Sequence, residues 1–270
     1  MLDFPFFYCI LPLTPFGCWL ELVVAGKGVL MATFVCVHGA FQGGWVWKRT
    51  ADALFSMGHR TYAPTFSGCG HHRHTMDKGL GLGAYVRDLT QFFELEDLSD
   101  AYLVAHSYSG LVCAGAMAEL MGRLAGTIYV EGIIPQPGKS FAALGGEPFR
   151  AMLDARRVDG WLVSPWEAAL FGVAGAPEED WFMARVAPFP LAAFTDPAVG
   201  ELVFPEKRHY IRCAKNPNPM LVAMEKRAAS LGFAMHTIES GHCPQITLAV
   251  ELARVLATIV DAKNGGQKGK

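Results

Sequence analysis

From residue 32 to residue 261, short apolar runs alternate with stretches whose apolar residues recur at helical spacing. ATFVCV (32–37) is apolar and β-branched and stops at His38-Gly39, the pattern of a strand buried on both faces. GWVWKRTADALFSM (44–57) then carries helical spacing and ends at Gly58, a residue suited to a helix C-terminus. Arg60 to Ala63 predicts a second short strand, followed by a loop rich in Gly and His up to about residue 80. AYVRDLTQFFELE (84–96) places Tyr85, Leu89, Phe92 and Phe93 on one side of a helix. A strand over 101–105, the turn AHSYSG (105–110), a helix of small residues in LVCAGAMAELMG and a strand at 127–130 continue the alternation.

After a break the pattern resumes with a strand at HYIRCA (209–214), a helix near 219–231, a strand at FAMHTI (233–238) and a helix around 247–261. Strand and helix in turn predict an α/β fold with a mostly parallel, doubly wound sheet. The interval 135–200 differs: it is rich in Pro, Trp, Phe and Ala, shows no strand signal, and is expected to be a helical cap insertion. The expected division is a core over 31–134 and 201–262, a cap over 135–200 and a disordered tail over 263–270, with no internal repeat.

Residues 1–30 are apolar but lack a basic leading region, and Pro5, Pro12, Pro15, Gly17 and Glu21 interrupt any membrane-length helix. Because MATFVCVHG from Met31 onward could open such a domain, residues 1–30 are read as an upstream extension, with a misplaced start codon as one source of it. The expected location is cytoplasmic, with export as the alternative if residues 1–30 act as a signal. The chain has 270 residues, enough for one large domain, and a formal net charge of −2, which favours neither nucleic acid nor an anionic membrane. A hydrophobic share of 51% points to a deep apolar pocket or an apolar appendage. Seven scattered cysteines without a C-x-x-C pair read as free thiols in a reducing compartment.

In an open parallel sheet, chemistry collects at the carboxyl ends of the strands. Those ends carry HGA (38–40), HS (106–107) and YVEG (129–132), and SGHC (240–243) follows the last strand. AHSYSG has the layout of a nucleophile elbow without its flanking glycines, but Ala105 and Ser109 keep the pattern small-x-Ser-x-small. Ser107 is therefore the candidate nucleophile at a helix N-terminus, and the N–H groups of Tyr108 and Ala40 the candidate oxyanion hole. His242 is the candidate base.

HGAFQGGWVWKRTADAL, TYAPTFSGCG, AHSYSG, YVEGIIPQPGKS and ESGHC together resemble α/β-hydrolase-fold esterases, the bacterial branch related to plant methyl-salicylate esterases and hydroxynitrile lyases. The resemblance runs from about residue 31 to 261 and is weakest in the cap. It implies the α/β-hydrolase fold and a Ser-His-acid carboxylester hydrolase that needs no metal and no cofactor. In the plant enzymes the acid is an Asp in the loop that here reads Lys215-Asn216-Pro217-Asn218-Pro219, without a carboxylate. Zearalenone lactonases and certain haloalkane dehalogenases place a Glu at the end of the strand after the nucleophile strand, and that role is carried over to Glu131. Glu131→Gln is then expected to lose orders of magnitude in turnover while folding normally.

The implied substrate is a small, hydrophobic or aromatic carboxylic ester, or a lactone, cleaved with water through an acyl-serine. His38 and Phe41 near the nucleophile, with Trp161, Trp166, Trp181 and Phe182 of the cap, are the candidate substrate-binding residues; Phe171, Phe189 and Phe194 belong to the same aromatic set, some of which must instead pack the cap onto the sheet. His106 reads as a packed neighbour of the nucleophile rather than a base, and His71-His72-Arg73-His74 as a solvated loop rather than a metal site. GLGLG (79–83) lacks the preceding strand of a dinucleotide loop. Plant lyases carry a Lys after the catalytic His where this chain has Cys243, which weighs against hydroxynitrile lyase chemistry. Carbon–carbon or amide hydrolysis and a ligand receptor on a hydrolase scaffold are the alternatives. No nucleic-acid partner and no stable membrane insertion are expected, and the chain is expected to be a monomer or homodimer.

Overall fold

The computed structural model describes residues 31–198 and 202–261. The expectations for the extension 1–30 and the tail 263–270 fall outside the described residues. The chain runs through β1 (Thr33–Val37), α1 (Lys48–Ser56), β2 (Arg60–Tyr62), α2 (Leu82–Leu95), β3 (Ala101–His106), α3 (Ser109–Leu120) and β4 (Leu124–Val130). An insertion follows, with α4 (Phe141–Ala155), β5 (Arg157–Val158), β6 (Leu162–Val163), α5 (Ala168–Phe171), α6 (Glu179–Met183), β7 (Phe189–Pro190) and α7 (Leu191–Thr195). The core closes with β8 (Arg208–Cys213), α8 (Pro219–Ser230), β9 (Ala234–Ile238), α9 (Pro244–Thr247) and α10 (Ala249–Asp261).

The main sheet has the order β2-β1-β3-β4-β8-β9, and every pairing in it is parallel. Its central strands are the apolar runs read from the sequence: every residue of β3 is buried, as are the last four of β1 and the last five of β4. The chain steps from β1 outward to β2 and then back across to β3, so the order reverses beside β1. Right-handed crossovers then send α1 to one face and α2 and α3 to the other. Accordingly α1 packs on α10, and α2 packs on α3. The reversal also opens the crevice at the carboxyl ends of β1 and β3 in which such sheets hold ligands.

The insertion is not wholly helical, which corrects the expectation for 135–200. The segments β5, β6 and β7 form a small antiparallel sheet. Each is two residues long, too short for alternation to register in the sequence. The longest helix of the insertion, α4, is capped by the Ser140 hydroxyl and bends at Gly146 (φ 69°), just before Pro148. The insertion leaves and returns through a paired neck, in which Gly138 N–H donates to Ala198 O (3.0 Å) and Ala198 N–H to Lys139 O (3.1 Å).

Candidate active site

The carboxyl edge of the sheet gathers Gly39 and Ala40 after β1, Ser107 after β3, Glu131 after β4, Asn216 after β8 and His242 after β9. Ser107 sits at φ 55° and Glu131 at φ 45°, left-handed conformations that cost non-glycine residues ~1–3 kcal/mol each. Backbone bonds over-determine the first of these: Ser107 N–H donates to Val130 O (3.2 Å), and Ser107 O accepts from Gly110 N (3.0 Å) and Ile133 N (2.9 Å). Glu131 N–H donates to Ile211 O (3.0 Å), so both strained residues are held by the neighbouring strand.

The tightest approach at the elbow falls on Gly110, three residues after the serine. A Cβ there would lie 2.3 Å from Ile133 O and 2.6 Å from Ile133 N, both backbone atoms. Ser109, in the place of an elbow glycine, is fully buried, and its hydroxyl contacts both Val37 O (3.0 Å) and His106 O (2.8 Å). The serine is accommodated because its polar atom finds two carbonyls.

Ser107 Oγ lies 2.9 Å from His242 Nε2, and His242 Nδ1 lies 2.9 Å from Glu131 Oε2. A carboxylate only accepts, so Nδ1 carries the proton and Nε2 is free to accept from the serine hydroxyl. Glu131 is fully buried and takes four donors. Oε1 accepts from Arg212 Nη1 (2.7 Å) and Cys213 N (3.1 Å), and Oε2 accepts from His242 and from Asn216 Nδ2 (2.6 Å). Burial alone would raise this carboxyl, but the hydrogen bonds and charge of His242, with bonds from Asn216 and Cys213, hold it below the usual carboxylate range. Asn216, in the loop after β8 that holds no carboxylate, is a donor to the carboxylate of Glu131.

His106 is also enclosed. Its Nε2 donates to His242 O (2.8 Å), and its Nδ1 faces Gln245 Nε2 (3.3 Å), so it braces the backbone of the histidine loop. Burial holds its imidazole well below its ordinary range, with the proximity of His242 second, and it stays neutral. His38 donates from Nδ1 to Gly39 O (2.8 Å) and accepts at Nε2 from Phe66 N (3.2 Å), which shapes the loop leading to Ala40. Burial lowers it to about 4, against the Gly39 hydrogen bond that raises it.

In front of Ser107 lies a narrow cavity of about 70 Å³, partly open to solvent. Ala40, Tyr108, Ser107 and His242 form its floor. Of the expected substrate-binding residues, Trp166 and Phe194 line it. Phe41 is buried behind Trp166, their ring centres 4.6 Å apart, and its carbonyl accepts from Ala187 N (3.0 Å). His38 stands below the floor in its own hydrogen bonds. Trp161, Trp181 and Phe182 do not line the cavity. Trp161 pairs through its backbone with Leu191, Trp181 packs on Trp45 beneath Arg185, and Phe182 is buried against Phe171. Walls not singled out in the sequence come from Phe149 and Met152 of α4, Leu170 of α5, and Met220 and Leu221 of α8. Phe149 and Met152 stand one helical turn apart, the spacing that could have marked them as one face.

Among the described residues, no group of three or more His, Cys, Asp or Glu is arranged to hold a metal ion. His72 of the His71–His74 stretch instead bonds Thr65 O at 3.1 Å. No helix among the described residues is long and apolar enough to cross a membrane.

A family model described as the alpha/beta hydrolase family matches residues 34–255. A carbendazim hydrolyzing esterase from Nocardioides sp. (strain SG-4G) is 30% identical over 242 residues, covering 85% of this chain and all of that protein. Methylesterase 10 of Arabidopsis thaliana is 26% identical over 256 residues, covering 86% of this chain and 92% of that protein. Among solved structures, an extracellular alpha/beta-hydrolase from a Paenibacillus species matches with a TM-score of 0.73 at 18% identity, covering 84% of this chain and 98% of that one. That last likeness is one of fold.

Proposed function

Because the chain belongs to the alpha/beta hydrolase family, we propose that it is a serine esterase acting on small, apolar or aromatic carboxylic esters through a Ser107-His242-Glu131 triad. The observation that carries this reading is the unbroken run of 2.9 Å contacts from Ser107 Oγ through the His242 ring to Glu131. In the reaction His242 Nε2 takes the Ser107 proton as Oγ adds to the ester carbonyl carbon. The Ala40 and Tyr108 N–H groups stabilise the oxyanion, each such donor contributing roughly 3 kcal/mol to the transition state. Collapse of the adduct expels the alcohol, which leaves with the proton held by His242. Water, deprotonated by His242, then attacks the acyl-serine, and breakdown of that adduct frees the acid and restores the hydroxyl. Throughout, Glu131 balances the charge on the imidazolium.

The aromatic walls favour a flat, apolar substrate moiety beside the serine. Carbendazim, small aromatic methyl esters and aryl lactones are therefore the compounds to try. Residues 135–200 act as the cap in this reading, since they contribute Phe149, Met152, Trp166 and Leu170 to the cavity. Buried Cys243 after the histidine is no substitute for a lysine that would hold cyanide, which leaves lyase chemistry without support. The test is hydrolysis of p-nitrophenyl acetate and butyrate by the wild type beside Ser107→Ala. Turnover at least a thousandfold above the variant is expected. Equal rates would overturn the esterase reading and leave the cavity to ligand binding.

A further inference from the structure

Strand β8 carries one charged side chain into a site the mechanism above does not use. The Arg212 guanidinium, its side chain 13% exposed, donates from Nη1 to Glu131 Oε1 (2.7 Å), from Nε to Glu225 Oε2 on α8 (3.0 Å) and from Nη2 to Asn216 O (2.8 Å). Nη1 also contacts Cys213 O. One planar group thus ties the acid, the Asn216 loop that also bonds the acid, and a second carboxylate. We propose that Arg212 is a positioning residue of this site: it clamps Glu131 onto His242 and, balanced by Glu225, sets the acidic edge of the pH range over which the enzyme turns over. This rests on the esterase reading.

The other titratable groups facing the His242–Glu131 pair carry no charge near neutrality. Burial drives the Cys213 and Cys243 thiols and the Tyr210 phenol upward. Burial drives His106, and His38 behind it, downward. Arg212, bonded to Glu131, and Glu225, bonded to Arg212, are therefore charges through which the fold biases proton uptake by the pair. Arg212 disfavours that uptake, and Glu225, bonded to the far side of the guanidinium with its side chain 36% exposed, partly offsets it. Which member of the pair holds the added proton does not alter the sign, because either protonation makes the pair more positive beside the cation.

The experiment is the pH profile of kcat/KM with p-nitrophenyl butyrate, from about pH 5 to pH 9, for wild type, Arg212→Met, Arg212→Lys and Glu225→Gln. A histidine-labelled NMR titration of the His242 ring reads the same shift without turnover. Arg212→Met is expected to move the acidic inflection to higher pH by on the order of one unit. Glu225→Gln moves it lower by a few tenths, the solvent-facing carboxylate being partly screened. Arg212→Lys keeps the inflection near that of the wild type while lowering kcat, because a single ammonium cannot hold the three partners at once. A purely structural arginine gives weaker activity without shifts of opposite sign. The proposal is overturned if Arg212→Met leaves the inflection in place, or if the Met and Gln variants shift it the same way. Should Arg212→Met fail to fold, an unmoved inflection in Glu225→Gln overturns it instead. A wild type that hydrolyses no ester faster than Ser107→Ala refutes the esterase reading alone, and the NMR titration still decides the role of Arg212.

Discussion

Replacing Glu131 by Gln is the sharpest perturbation of the site, because the side chain keeps its shape and loses its charge. Every group facing the carboxylate is a donor: Arg212 and Cys213 N–H at Oε1, His242 and Asn216 at Oε2. A Gln offers one acceptor oxygen and one NH2 group, so either orientation aims the NH2 at two donors. Facing it toward Arg212 would strand the guanidinium, so the favoured orientation turns the NH2 toward His242 and Asn216. His242 then accommodates it by moving its proton from Nδ1 to Nε2, which removes the base from Ser107. Asn216 cannot flip freely, because its Oδ1 already accepts from Asn218 N (3.2 Å).

Loss of the correct tautomer and of the balancing charge predicts a fall in turnover of about 10⁴, the size seen when a serine-protease acid is neutralised. The fold also suffers, which revises the expectation of normal folding. Breaking a buried ion pair from one side costs about 3–5 kcal/mol, and the low end applies because Arg212 keeps Glu225. At about 2–4 °C per kcal/mol for a domain of this size, Tm should drop by roughly 6–12 °C. The assay is kcat/KM on p-nitrophenyl butyrate at neutral pH beside a calorimetric melt. Activity within tenfold of wild type, or an unmoved Tm, refutes the account of Glu131.

The elbow and the buried imidazoles give two further predictions. Gly110→Ala drives a methyl group into the Ile133 backbone, so the strand-to-helix turn must shift. A loss of about 1–3 kcal/mol with impaired turnover is expected, and a melt within a degree of wild type would speak against that packing. The folded state keeps His38 neutral down to about 4 against an ordinary 6.5, so its contribution is fully present above about pH 6.5 and lost as pH falls toward 4. That difference is worth about 3 kcal/mol by pH 4, His106 acts in the same direction, and Glu131, lowered below 4.5, adds its loss at still lower pH. Urea midpoints at pH 7.5 and pH 5 test this, and equal midpoints would count against it.

Much of the core is legible because parallel strands covered on both faces must be nearly continuous apolar runs, and β1, β3 and β4 are. Ser107 and His242 can be picked out because strand ends in such a sheet face one crevice, Glu131 through the resemblance to hydrolases with a Glu at that strand end, and the structure brings all three within hydrogen-bond distance. The insertion is harder, because its order comes from tertiary contacts. Trp161, Trp181 and Phe182 have the composition of pocket residues but serve to fasten the insertion, while Phe149 and Met152 reach the cavity through the bend of α4. Arg212 was in plain view within HYIRCA, a charge inside a buried strand, and only the position of Glu131 across from it gives that charge a meaning.

The neck at Gly138–Ser140 and Pro197–Ala198 separates two inheritances. Because β4 and β8 are adjacent, the residues beyond the neck can be exchanged without disturbing the register of the sheet. Ser107, Glu131, His242 and Arg212 all lie on the sheet side of that neck, whereas most of the aromatic wall lies beyond it. Chains that differ only beyond the neck can differ in the cavity wall while Ser107, His242 and Glu131 keep their contacts. For engineering, the neck marks the two points at which a foreign insertion can be spliced in to redirect selectivity.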